Sequence, residues 1–471
     1  MSETPGSREG RDLSRPPEGQ SGRAAWMLLS IALLTRIVVF AENSHRVDPR
    51  YCVPDSHSYI LTAESFSGQE EPPDDARKPA WGRVPGYPAL LALLFLARIA
   101  SPQHLHGAVL VQCLVGALVV VAAARLSRAL PGHRGGLAVG LLLALEPSAI
   151  GYSNLVLSEI LYALALLLGF LAWKRHLLRQ DNNSLLWLAA ALGCLPLIRP
   201  IGLYFPLAVV PLMVWTRWRR SGALRGTVLF LLVAMLPAAA WSWRNFVAMG
   251  SFALHSTGPW AQAIFARDVE VRVGSSAYSP AGDFKKPWEP FFGQDQALTS
   301  AETMKIQGDY FRRVVSAHPL AAARQFVTNG VLLMGVPDSS LARVLLENPP
   351  TVPGGSVRKR ILWVGDLGSL GLLITLGMAT SLGGLAAIPW LLANWRRWDA
   401  TTQRLLAFAV VTVVYHMVFS SFVGGQGERY RVPIIPFLAL LFTSGLDLLV
   451  RGRKSEVGAQ STNQQSPTPR G

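Results

Sequence analysis

Ten stretches of this chain are apolar over lengths that suit one crossing of a lipid bilayer. They are residues 24–41, 107–124, 135–152, 155–173, 185–198, 201–215, 226–243, a stretch within 361–393, 405–424 and 432–450. Most approach the ~20 residues that a helix needs to cross the hydrocarbon core. Inside lipid each backbone amide must find its partner within its own segment, so such runs must be helical. The fold class expected is therefore an all-α polytopic membrane protein with about ten transmembrane helices. Half of the residues are apolar and 15% are charged, where soluble proteins carry about a quarter. This balance excludes a disordered chain, a soluble multidomain enzyme and a small disulfide scaffold. Runs 185–198 and 201–215 are short and parted only by Arg199-Pro200. They read as a hairpin whose tip lies below the outer membrane surface.

The net charge, 44 − 29 = +15, would suggest nucleic acid in a soluble protein. Here basic residues are needed at the cytoplasmic ends of spans, and no zinc-finger spacing or aromatic RNA-binding signature accompanies them; nucleic acid is not an expected partner. Run 84–100 is ambiguous, being 17 residues long with Pro85, Gly86 and Pro88. Counting basic residues decides its placement. If it stays on the outer side, the inner segments hold 21 basic residues and the short outer turns only Arg199, Arg429 and Arg431. It is therefore expected as a juxtamembrane or re-entrant helix, with both termini cytoplasmic. The cluster Arg358-Lys359-Arg360 then falls outside, where a long loop escapes the charge rule. The domain plan is a disordered tail 1–23, a core 24–243 that includes a first outer loop 42–103, a second outer region 244–360, C-terminal spans 361–450 and a tail 451–471. The first run lacks a small-residue cleavage site and reads as an uncleaved span. No internal repeat of the transporter kind is present.

Six elements that carry polar chemistry fall on the outer side of this plan. In VPDSHSYILTAESF, Asp55 opens a stretch that can be helical, with Tyr59, Thr62 and Phe66 on the same face. Capping the helix N-terminus is its bland role. In WGRVPGYPALLALLF, Arg83 sits at a bend ahead of Tyr87; it either snorkels or holds a phosphate. LEPSAIGYSNLVLSEILYALALL carries Glu146 and Glu159 near the outer ends of spans. An ionisable group at membrane depth costs about 3 kcal/mol, so it usually faces a site or a cavity. Arg199 lies at the hairpin tip, Arg244 ends a span in WSWRNFVAMG, and Arg429, Tyr430 and Arg431 open the last span. Carboxylates and arginines beside apolar walls suit a substrate with an anionic head and a greasy tail.

The order of these motifs is that of a known group. An early outer-loop Asp, a VPGYP bend, an acidic residue opening a later span, an R-P turn, W-x-x-RN-x-x-x-x-G and a late RY-x-x-P together resemble the GT-C membrane glycosyltransferases. The likeness is greatest to bacterial relatives of protein O-mannosyltransferases and of the lipid A aminoarabinose transferase, and covers roughly residues 24–450. It implies a sugar donor carried on polyprenyl phosphate and an inverting transfer to an acceptor hydroxyl. It further implies Asp55 and Glu159, the second acidic site, as the catalytic carboxylates, and Arg83, Arg199, Arg429 and Arg431 as contacts of the donor phosphate. Tyr59, Tyr87 and Arg244 are expected near the acceptor or in support of the site. Many members have an acidic pair where this chain has Asp55-Ser56, so a metal role for the loop is not implied. No cofactor is assigned from the sequence, and a divalent cation is the one candidate.

Partners expected are the lipid-linked sugar, membrane lipids and an envelope acceptor, which is a lipid, glycan or protein. The expected location is the bacterial cytoplasmic membrane. The rival classes are a lipid-linked sugar flippase or other transporter, a polysaccharide polymerase or ligase, and a non-catalytic assembly subunit. Aromatics of the second outer region, Trp260, Phe284, Trp288, Phe291 and Phe292, either pack the loop on the membrane or stack on sugars. His57, His255, His318 and His416 have no metal-ligand spacing, and His416 reads as a buried, hydrogen-bonded histidine.

Overall fold

A computed structural model of the chain describes residues 18–45, 50–68, 83–130, 135–217, 222–255, 257–274, 300–336, 340–346, 367–422 and 427–463. Among these every regular element is a helix: α1 (Glu18–Ser44), α2 (Pro54–Ser67), α3 (Gly86–Leu96), α4 (His106–Ser127), α5 (Gly135–Ala144), α6 (Pro147–Ser153), α7 (Glu159–Arg179), α8 (Asn182–Gly193), α9 (Leu195–Ile198), α10 (Phe205–Arg217), α11 (Ala223–Met249), α12 (Thr257–Val273), α13 (Ser300–Ala317), α14 (Pro319–Gly335), α15 (Ser340–Leu345), α16 (Ser369–Ala393), α17 (Ala400–Ser421), α18 (Gly427–Arg431) and α19 (Ile435–Asn463).

Among the described residues, seven helical segments are long and apolar enough to cross a membrane: Gly22–Ser44, His106–Ser127, Glu159–Arg179, Ala223–Ala248, Ser369–Ala393, Ala400–Ser421 and Arg429–Val450. An eighth is a pair, Gly136–Ala144 and Pro147–Ser153, bent by 57°. The sequence figure of about ten also counts the two shorter apolar legs, Asn182–Ile198 and Pro200–Thr216. The break in the eighth segment is local chemistry. Pro147 has no amide to donate and pushes Glu146 out of the helical region, to φ −70° and ψ 116°. Glu146 then caps the new helix, its Oε2 accepting the Ala149 amide at 2.5 Å. α3, at 11 residues, rises only about 16 Å and cannot cross; its place between α1 and α4 is that of a juxtamembrane or re-entrant helix.

Small residues and aromatics fill the bundle. α16 lies against α19 so closely that a Cβ on Gly384 would fall 2.4 Å from the Leu438 carbonyl oxygen. Close helix approach through glycine is the usual packing device where lipid supplies no hydrophobic drive between helices. Around buried Phe408, Phe170 stacks with centroids 5.4 Å apart, Trp173 at 5.8 Å, and Phe205 meets it edge-on at 5.8 Å. His416 is buried here as the sequence suggests, with Nδ1 2.7 Å from the Thr412 carbonyl and Nε2 3.0 Å from the Tyr162 hydroxyl. In the 244–360 region, α12, α13 and α14 share a small core of their own, including Phe265, Val269, Tyr310, Val314 and Ala322. The links carrying Asp55, Glu159, Arg199, residues 253–255 and Arg429 meet around one cavity and the ion pairs beside it.

Candidate active site

The first carboxylate is set by the start of α2. Val53 is the N-cap, Pro54 follows at the first helical turn, and the Val53 amide donates to Ser56 Oγ at 3.0 Å. Ser56 therefore does the capping, and the Asp55 side chain turns away to meet two arginines. Arg83 Nη2 donates to Asp55 Oδ1 at 2.7 Å, and Arg429 Nη1 donates to Asp55 Oδ2. Arg83 is further fixed by its Nε, which donates to Ser58 Oγ at 2.7 Å, and by the Tyr59 ring, 4.6 Å from its guanidinium carbon. Burial alone would raise the Asp55 carboxyl. Arg429 and Arg83 more than offset it and hold the group below the usual carboxylate range.

The bend after Arg83 docks on the hairpin. A Cβ on Gly86 would lie 2.7 Å from the Leu197 carbonyl oxygen, so only glycine allows this approach. At the hairpin tip Arg199 is extended, at φ −143° and ψ 130°, as a residue before proline prefers. The Tyr415 hydroxyl donates to the Ile201 carbonyl at 2.5 Å and ties the tip to α17. Arg199 Nη1 lies 2.7 Å from Glu159 Oε1, and Arg429 Nε donates to the same oxygen. The result is one ladder, Arg83–Asp55–Arg429–Glu159–Arg199, drawn from four separate links between the long helices. Tyr59 braces it. Its hydroxyl is 3.1 Å from Ser158 Oγ, and its ring meets that of Tyr87 edge-on at 5.0 Å. Tyr87 is fully buried and donates to Gln112, whose amide in turn reaches the Leu155 carbonyl at 2.5 Å.

A cavity of about 640 Å³ opens beside the ladder. Asp55, Tyr59, Arg83, Arg199, Arg429 and Tyr430 supply its charged and polar lining, and Leu203, Tyr204, Phe419 and Phe422 are among its apolar lining. Ala253, Leu254, His255, Gln262, Met304 and Phe311 bring in the 244–360 region as a further wall. Glu159 is fully buried and lies behind the arginines rather than on the cavity surface.

Two residues named from the sequence lie elsewhere. Arg431 is buried, and its Nη1 points to the carbonyls of Leu333, Met334 and Val336 at 3.4, 3.1 and 3.2 Å. It caps the C-terminus of α14, where carbonyls lack helical partners. Arg244 lies over the Trp241 ring at 4.8 Å and donates to Asn245 Oδ1 at 3.0 Å, off the cavity wall. Its motif still matters to the site. Asn245 Nδ2 donates to the Ala253 carbonyl at 2.8 Å and Trp241 Nε1 to the Leu254 carbonyl at 3.1 Å, which folds 253–255 back into the cavity wall. That fold delivers His255, which the sequence pattern did not single out for the site. Burial and nearby Arg83 push its imidazole down to about 4, so it is neutral near pH 7. Trp260 is 44% exposed; Phe284, Trp288, Phe291 and Phe292 fall outside the described residues. Among the described residues no group of three or more His, Cys, Asp or Glu side chains is placed to hold a metal ion.

Residues 83–243 match the family described as dolichyl-phosphate-mannose-protein mannosyltransferase. The crystal structure of the Archaeoglobus fulgidus oligosaccharyltransferase in the apo form superposes with a TM-score of 0.50 over 95% of this chain, at 12% identity. The fold is GT-C. The two findings support the membrane glycosyltransferase group that the sequence motifs resemble. The chain spans about half the length of the archaeal protein, 52% of which is covered. No curated protein matches this chain. The family match begins at Arg83 and ends at Trp243, so Arg83, Glu159 and Arg199 lie inside it, while Asp55 and Arg429 lie outside.

Proposed function

We propose that this GT-C protein moves a single sugar from a polyprenyl-phosphate donor to an acceptor hydroxyl, with inversion, on the outer face of a bacterial cytoplasmic membrane. The observation that carries the reading is the ladder of three guanidinium groups and two carboxylates, of which the three arginines and Asp55 line a cavity that also has apolar lining and Glu159 stands behind them. Three positive and two negative groups leave a local charge of +1. That balances the single negative charge of a sugar-phosphate diester. The apolar lining, with Leu203, Tyr204, Phe419 and Phe422, suits the first isoprene units of the carrier.

Asp55 is the base in this reading. The acceptor oxygen attacks the anomeric carbon as its proton passes to the Asp55 carboxylate, and the bond from that carbon to the phosphate oxygen breaks. The transition state resembles an oxocarbenium ion. Polyprenyl phosphate leaves with one further negative charge, and Arg83, Arg199 and Arg429 are the groups placed to stabilise it. Glu159 does not reach the cavity, so its part is to position Arg199 and Arg429. His255 and Gln262, which also line the cavity, are the polar groups offered to an acceptor, with an envelope lipid, glycan or protein as its class.

The test uses purified protein in vesicles with a labelled polyprenyl-phosphate sugar. Release of polyprenyl phosphate on adding acceptor supports the reading. Movement of intact donor across the bilayer without sugar transfer would reject it in favour of a flippase. Mass spectrometry of envelope lipids, glycans and proteins with and without the gene then names the sugar and its acceptor.

A further inference from the structure

We propose that the Asp55 carboxylate and the donor phosphate compete for the same two guanidinium groups, those of Arg83 and Arg429. The inference rests on the phosphate-linked donor argued above and gives Asp55 a second role, as a gate on its own site. Both of its oxygens are taken, Oδ1 by Arg83 Nη2 at 2.7 Å and Oδ2 by Arg429 Nη1. A carboxylate held in this way offers little to an incoming hydroxyl proton, and the same two contacts keep its carboxyl below the usual range.

The two arginines are built alike. Each has an Nε fixed to a group other than Asp55: Arg83 Nε on Ser58 Oγ at 2.7 Å, and Arg429 Nε on buried Glu159. Each gives an Nη to Asp55. The fixed contacts can persist while the Nη contacts change partner, so exchange opens the ladder only at Asp55 and leaves Arg83 on Ser58 and Arg429 on Glu159. A guanidinium fork donates to phosphate and carboxylate oxygens with similar geometry, and both arginines line the cavity. Donor phosphate entering the cavity thus draws off the Nη groups and uncovers Asp55. Donor adds first, and the acceptor then meets a free base. As Asp55 takes the acceptor proton it becomes neutral, while the departing phosphate gains a charge, so both arginines stay with the phosphate. When that proton passes to water, Asp55 is again an anion, and it takes back the arginines as the spent lipid phosphate leaves.

The experiment measures equilibrium binding of a polyprenyl monophosphate to full-length wild type, Asp55→Asn, Asp55→Ala and Arg83→Gln in detergent, with thermal unfolding to verify that each variant is folded. Competition predicts that both Asp55 variants bind at least about tenfold tighter than wild type, because a charge-assisted rival has been removed. Arg83→Gln binds more weakly. Wild-type protein that does not bind the lipid phosphate overturns the donor reading itself. Wild type that binds it, with folded Asp55 variants binding equally or more weakly, overturns the competition and leaves the donor reading standing.

Discussion

Replacing Asp55 by Asn separates chemistry from scaffold. The substitution keeps the shape of the side chain and removes its charge and its capacity to take a proton. Two charge-assisted contacts weaken, those to Arg83 and Arg429. The Asp55 side chain is 30% exposed, so solvent screens both, and the stability at stake is about 1 kcal/mol per contact. Each arginine also keeps another anchor: Ser58 and the Tyr59 ring for Arg83, Glu159 for Arg429. The variant should therefore fold. Catalysis loses more, since a positioned base contributes about 10²–10⁴-fold, or roughly 3–5 kcal/mol of barrier. Single-turnover release of polyprenyl phosphate from pre-bound donor, followed beside thermal unfolding, reads the two effects separately. The expected result is a melting point near that of wild type with turnover down at least about a hundredfold. A folded Asp55→Asn protein that turns over within threefold of wild type would refute the base assignment.

Other variants probe the surroundings. Glu159→Gln should lower stability by about 3–5 kcal/mol, because it strips a fully buried carboxylate from two guanidinium groups; unfolding followed by tryptophan fluorescence checks this, and unchanged stability would contradict it. Arg431→Gln should loosen α14 and lower the melting point while leaving the KM for donor as in wild type, whereas a several-fold rise in KM with no loss of stability would return Arg431 to the phosphate site. His255, depressed from 6.5 to about 4 in the folded protein, binds its proton more readily when unfolded. Its contribution to stability is thus complete above pH 6.5 and is lost as pH falls toward 4. A pH series of melting points should show less acid sensitivity in His255→Asn than in wild type over that window.

Apolar run lengths made the helical, membrane-spanning class legible, because lipid permits no alternative for an uncharged stretch of that length. The short hairpin around Arg199-Pro200 was equally legible. The break at Pro147 was not predicted, since the surrounding run stays apolar and a proline within a span can either kink or end it. Arg429 and Arg431 show the limit most sharply. They are two residues apart, and positions so spaced on a helix face apart; composition and sidedness are the same for both. One reaches the cavity, and the other caps α14 nearly a hundred residues upstream.

The sequence alone determined that this chain is a helical membrane protein, which acidic and basic residues lie in links on a shared side, and a likeness to GT-C glycosyltransferases. These follow from local rules: transfer free energy residue by residue, proline and glycine geometry, and charge asymmetry across the bilayer. Tertiary structure alone decided that Arg83 and Arg429 grip Asp55, that Glu159 stands behind them, and that residues 253–255 fold back to bring His255 to the cavity. Those pairings join positions as far apart as Asp55 and Arg429, and they depend on helix rotation and packing, which no local pattern encodes.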